Sequence, residues 1–216
     1  MSVLERSTLP NAITVARIAL APVVFFLIFV PTFSARFLAW ILFLVAAFSD
    51  LWDGYLARKH GWISNFGKLV DPIADKLLLV ATLIPFYLLS NRATVDGRLP
   101  LIGSLPFWVL LVVFGREALI TAIRSLVARR GIVIPAGRAG KLKAVFQNIF
   151  IGTTIAWYAI QTAALRNGWE GLVAWDYWRW FHGVVLLVSL IIAVALTVYS
   201  MIVYLWQWRR LVRAAV

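Results

Sequence analysis

Cysteine is absent from all 216 residues, which excludes disulfides and thiolate metal sites. Histidine is nearly as scarce: His60 and His182 are too few and too far apart in sequence to frame a zinc site. Only nine residues are acidic, against 21 lysines and arginines, and charged residues of both signs make up 14% of the chain. So little charge cannot clothe a soluble surface of this size. The chain is 62% hydrophobic with a mean hydropathy of +0.89, more than a soluble core uses. No low-complexity tract or clear internal repeat divides it, which predicts a single domain over 1–216.

What is present is a series of apolar runs near the length of roughly 20 residues that spans a bilayer. Six are legible, at about 12–30, 36–57, 69–90, 105–127, 142–164 and 181–207. They predict an all-α, multi-pass integral membrane protein with six transmembrane helices and both termini on one side. Residues 1–10 read as a short N-terminal juxtamembrane segment, retained because no apolar signal core precedes Pro10. Leu9-Pro10-Asn11 suggests a stop, with Asn11 as the N-cap of the first span. Short polar residues 58–68 predict that spans two and three are antiparallel neighbours.

The net charge of +12 is unevenly distributed. Arg36, Arg92, Arg98, Arg166 and Arg179 lie in or beside the loops of one side, and the remaining basic residues lie at the other. The positive-inside rule then places both termini in the cytoplasm, in keeping with a bacterial inner membrane. Spanning segments interrupt the basic residues, which argues against a nucleic-acid partner and for anionic headgroups or a phosphorylated substrate. Most of the eleven tryptophans fall near run ends, as interfacial anchors do.

Four of the nine acids are concentrated in one stretch. It reads Asp50-x-x-Asp53-Gly54-x-x-Ala57-Arg58, then Gly67-x-x-x-Asp71-x-x-x-Asp75. Spacings of three and four put each aspartate pair on one helix face. Carboxylates at membrane depth persist with partners or a cation, and an all-oxygen donor set suits Mg²⁺ or Mn²⁺. Two such ions on Asp50, Asp53, Asp71 and Asp75 would grip a diphosphate and support in-line phosphoryl transfer. Asp75 is the candidate to accept a proton from an attacking hydroxyl. Gly54 and Gly67 would let a nucleotide approach the backbone, Ala57 keeps the same groove open, and Arg58 offers a planar donor fork to phosphate. A second set, Arg116, Arg124, Lys141 and Lys143, would suit an acceptor that carries its own phosphate. Arg116 beside Glu117 also reads as an interhelical ion pair. A cation pathway is the competing reading of the aspartates, and it predicts carboxylates near the midplane of discontinuous helices.

The stretch Asp50-Leu-Trp-Asp53-Gly54-Tyr-Leu-Ala57-Arg58, eight residues, then Gly67-Lys-Leu-Val-Asp71-Pro-Ile-Ala-Asp75 resembles the signature of the CDP-alcohol phosphatidyltransferases without substitution. That resemblance implies a six-helix membrane enzyme, generally a homodimer. Such an enzyme moves a phosphatidyl group from a CDP-linked lipid to an alcohol with release of CMP, using Mg²⁺ or Mn²⁺. It further implies that the four aspartates hold metal and that Asp75 is the general base. Asp53, Gly54, Ala57, Arg58 and Gly67 would line the CDP-lipid pocket.

Thr8 through Arg17, Gly115-Arg116-Glu117 with Arg124, and Gly140-Lys141-Leu142-Lys143 with Gln147 are similar to motifs of phosphatidylglycerophosphate synthases. Ala144 departs from them where many members carry threonine. This narrower resemblance covers roughly 8–148. It implies CDP-diacylglycerol and glycerol 3-phosphate as substrates, with Arg17, Arg116, Arg124, Lys141 and Lys143 on the acceptor phosphate. Inositol phosphate and phosphatidylglycerol are the alternative acceptors.

Overall fold

A computed structural model describes residues 3–60, 65–92, 94–128 and 138–214, with side chains over 12–49, 70–92, 140–210 and most of 94–126. Six helices make up the fold: α1 Val3–Phe29, α2 Phe33–His60, α3 Asn65–Ser90, α4 Phe107–Ala128, α5 Arg138–Asn167 and α6 Val173–Ala214. Two short 3-10 turns, Val95–Gly97 and Trp169–Gly171, fall in the α3–α4 and α5–α6 connections. No strand occurs among the described residues; an isolated bridge joins Leu99 and Gly103.

Buried positions recur at alternating intervals of three and four, the signature of helices packed along a seam. On α1 they are Thr14, Arg17, Ala21, Val24 and Ile28; on α2 they are Arg36, Ala39, Phe43 and Ala46. Small residues at Ala21, Ala39, Ala46, Ala74 and Ala81 let the backbones approach, which is how helices associate when lipid removes the hydrophobic drive.

Pairwise packing closes the helices into a ring in the order α1, α2, α5, α6, α4, α3. Among the described residues α2 and α3 are therefore not close neighbours, because α1 packs on both and lies between them. A short connection fixes only the helix ends it joins. It does not make the shafts pack.

One further expectation is corrected. Helix α1 runs through Pro10 without a break, so Asn11 lies inside the helix and is not its N-cap. An interior proline forfeits one ladder bond and can bend a helix without ending it. Among the described residues, three helices are long and apolar enough to cross a membrane by length and composition, over Ala12–Phe29, Val70–Ser90 and Val173–Arg210. The described apolar stretch of α2 is Phe33–Ser49. Charges at Arg116, Glu117 and Arg124 dilute α4, and uncharged polar residues such as Gln147, Asn148 and Gln161 dilute α5.

One end of the ring is sealed by the α3–α4 connection. Arg36, 1% exposed, donates to the carbonyls of Ile28 and Tyr158 and to Thr162 Oγ1, and lies 3.7 Å from Asp96. Tyr158 Oη donates to the Gly97 carbonyl and Trp157 Nε1 to that of Arg98. Gly97 is required here: a Cβ would sit 2.1 Å from the Leu89 carbonyl oxygen. Every candidate residue lies toward the opposite end.

Candidate active site

Asp71 and Asp75 sit one turn apart on α3 and face the buried seam of α1. Thr14 Oγ1 donates to Asp71 Oδ1 at 2.7 Å, and Arg17 Nη1 donates to Asp75 Oδ1 at 3.0 Å. Arg17 Nη2 also approaches Asp71 Oδ1 at 3.5 Å, so one guanidinium bridges both carboxylates. The arginine side chain is 3% exposed, whereas those of Asp71 and Asp75 remain 48% and 57% exposed. A buried fork thus holds two carboxylates at the surface of the bundle interior, pre-oriented and accessible.

A second polar group stands across the ring. Glu117 Oε1 on α4 accepts from Arg116 Nη1 at 2.8 Å and forms a short ion pair with Lys143 Nζ on α5. Lys76, next to Asp75, donates to Thr121 Oγ1 at 2.7 Å, and Thr121 donates to the Glu117 carbonyl. Both sets open onto one cavity of about 160 Å³. Its polar wall comprises Arg17, Asp75, Lys76, Glu117, Lys143 and Gln147, and Phe43, Ala46 and Ala47 of α2 supply an apolar wall. Five of the six helices contribute. The cavity combines an exposed carboxylate with cations from three helices, which suits a small phosphorylated ligand bearing a hydroxyl.

The model of the CDP-alcohol phosphatidyltransferases matches residues 7–208. This chain belongs to that family. It is 38% identical over 149 residues to a Mycobacterium tuberculosis protein named "Probable phosphatidylglycerophosphate synthase". That match covers 68% of this chain and 65% of the relative, just under two thirds of the latter's length. It is 36% identical over 160 residues to the CDP-diacylglycerol–glycerol-3-phosphate 3-phosphatidyltransferase of Bacillus subtilis, covering 68% and 76% of the two chains. An Arabidopsis thaliana protein of the same description, numbered 2, is 29% identical over 211 residues, with 95% of this chain and 82% of the relative covered.

Of the sequence-predicted site residues, Arg17, Asp75 and Lys143 come together on the cavity wall, and Arg116 reaches it through Glu117. Arg124 and Lys141 are exposed and do not line it. The side chains of Asp50, Asp53, Gly54, Ala57, Arg58 and Gly67 lie outside the described residues, although their helices are in place. Accordingly, no cluster of three or more metal-ligating side chains occurs among the described residues. Sequence reasoning missed Lys76. Its signal was available, a lysine directly after the last signature aspartate, but adjacent residues point to different helix faces and spacing alone gave it no partner.

Proposed function

We propose that the protein is a six-span membrane phosphatidyltransferase of the bacterial inner membrane, a homodimer with both termini and the active site in the cytoplasm. It transfers the phosphatidyl group of CDP-diacylglycerol to glycerol 3-phosphate, giving phosphatidylglycerophosphate and CMP. The names of the relatives support the substrates. The observation that carries the reading is the shared cavity, in which the Asp75 carboxylate faces the phosphate-binding chemistry of Arg17, Lys76 and Lys143.

In this reading the primary hydroxyl of the acceptor attacks the phosphorus that bears the diacylglycerol. The pyrophosphate P–O bond breaks, CMP departs, and the hydroxyl proton passes to Asp75. Arg17 fixes Asp75 through the bond at 3.0 Å, and Thr14 fixes Asp71. Lys143 and Arg116, positioned by Glu117, hold the acceptor phosphate together with Arg17, and Arg124 and Lys141 add positive charge outside the cavity wall. Asp53, Gly54, Ala57, Arg58 and Gly67 take the CDP moiety.

The donor set fits a divalent metal: Asp71 and Asp75 present accessible oxygens, and Asp50 and Asp53 on α2 would complete an all-oxygen set. Two Mg²⁺ or Mn²⁺ ions, when bound, supply charge stabilisation on the phosphoryl oxygens.

The test is CMP release by purified protein with CDP-diacylglycerol, divalent metal and a panel of glycerol 3-phosphate, inositol phosphate, serine and phosphatidylglycerol. Turnover with glycerol 3-phosphate alone, abolished by chelation and by Asp75→Asn, is the expected result. Turnover with a different acceptor would overturn the substrate while leaving the reaction class intact.

A further inference from the structure

Gln147 lines the cavity and is 8% exposed, and its Nε2 is buried without a hydrogen-bond partner. A buried amide donor left unpaired is costly, so a native chain retains one where something else satisfies it. The charged neighbours are engaged: Lys143 with Glu117, Lys76 with Thr121, Arg17 with Asp71 and Asp75. On α5, Gln147 lies one turn beyond Lys143 and one turn before Ile151, both of which also line the cavity. The amide therefore faces the space that a ligand fills.

We infer that Gln147 reads the secondary hydroxyl of the acceptor, donating from Nε2 to that oxygen and so selecting a vicinal hydroxyl-bearing alcohol phosphate. This assignment rests on the acceptor proposed above. The phosphate is the stronger acceptor and goes to the cations, because charge-assisted bonds are roughly twice as strong as neutral ones. The primary hydroxyl is committed to the Asp75 side. What remains on a glycerol phosphate is the middle hydroxyl, and the Gln147 amide offers it a buried neutral donor from the cavity wall. A cavity of about 160 Å³ has the room of roughly five waters at about 30 Å³ each, a fit for a small polyol phosphate. A site built to bond a hydroxyl discriminates strongly against an analogue without it, because the site's own polar group is then stranded.

The experiment compares wild type and Gln147→Met with two acceptors, glycerol 3-phosphate and 3-hydroxypropyl phosphate, which lacks only the middle hydroxyl. Wild type is expected to favour glycerol 3-phosphate at least tenfold in kcat/KM. Gln147→Met should lose most of that preference by falling about tenfold or more on glycerol 3-phosphate alone, with KM for CDP-diacylglycerol unchanged. Thermal unfolding provides the second readout: removing an unpaired buried donor leaves the midpoint unchanged or raises it. Equal losses on both acceptors, or a marked drop in the midpoint, would overturn the assignment and make Gln147 a packing residue. Wild-type protein inert toward both phosphates would instead overturn the acceptor reading, and the assignment with it.

Discussion

Asp71 Oδ1 takes a hydroxyl donor from Thr14 at 2.7 Å and lies 3.5 Å from the Arg17 fork. In the proposed metal site Asp71 is a ligand; ligand carboxylates need such partners to hold their orientation, and loss of one typically costs about 10–100-fold in metal affinity or activity. Thr14→Val, which keeps the shape, is thus expected to raise the metal concentration for half-maximal turnover about tenfold while leaving the acceptor KM unchanged. A metal titration of CMP release checks this.

Glu117 acts differently. It is the shared counter-ion of Arg116 and Lys143, whose side chains are largely buried. Glu117→Gln strands two like charges, and breaking a buried pair from one side costs about 3 kcal/mol or more. The expected outcome is a clearly lower unfolding midpoint in detergent, restored in part by Glu117→Asp.

At the scale of elements, the α3–α4 connection is held by polar groups at the end away from the cavity. Arg36 links the end of α1, the 3-10 turn Val95–Gly97 and α5. Arg36→Met leaves Asp96 without this partner and is expected to lower stability by about 3 kcal/mol while kcat of the folded fraction is retained. Two glycines sharpen the contrast. Gly97→Ala drives a Cβ against Leu89 backbone and should prevent folding, whereas Gly115 has open space and Gly115→Ala should gain about 0.5–1 kcal/mol in helix stability. Thermal unfolding of the three variants tests the set.

These elements also show what was legible in the sequence. The aspartates stood out because charge at membrane depth is rare, and the helices because their apolar runs are long. The ring order was hidden, since spacing defines faces within one helix but not which faces meet. Arg36 read as a loop charge because its partners, Thr162 and Asp96, are distant in sequence. Glu117 gave only its adjacent arginine, and its bond to Lys143 crosses from α4 to α5.

For the whole molecule, the decisive property is sidedness. The cavity is lined by Arg17 midway along α1 and by residues in the first halves of α3 and α5, away from the Arg36 seal. In the proposed function, positive-inside reasoning puts the cavity end in the cytoplasm, where the water-soluble acceptor and CMP would be handled. The absence of cysteine makes this directly measurable, because any single cysteine reports without background. Thr94 and Glu170 are exposed in the two connections at the sealed end, and Arg210 is exposed near the end of α6. A membrane-impermeant maleimide should label Thr94→Cys and Glu170→Cys in intact cells and Arg210→Cys only after lysis. The reverse pattern would invert the protein and place its cavity outside. Labelling of all three in intact cells would break the even number of crossings on which the common side of the termini rests.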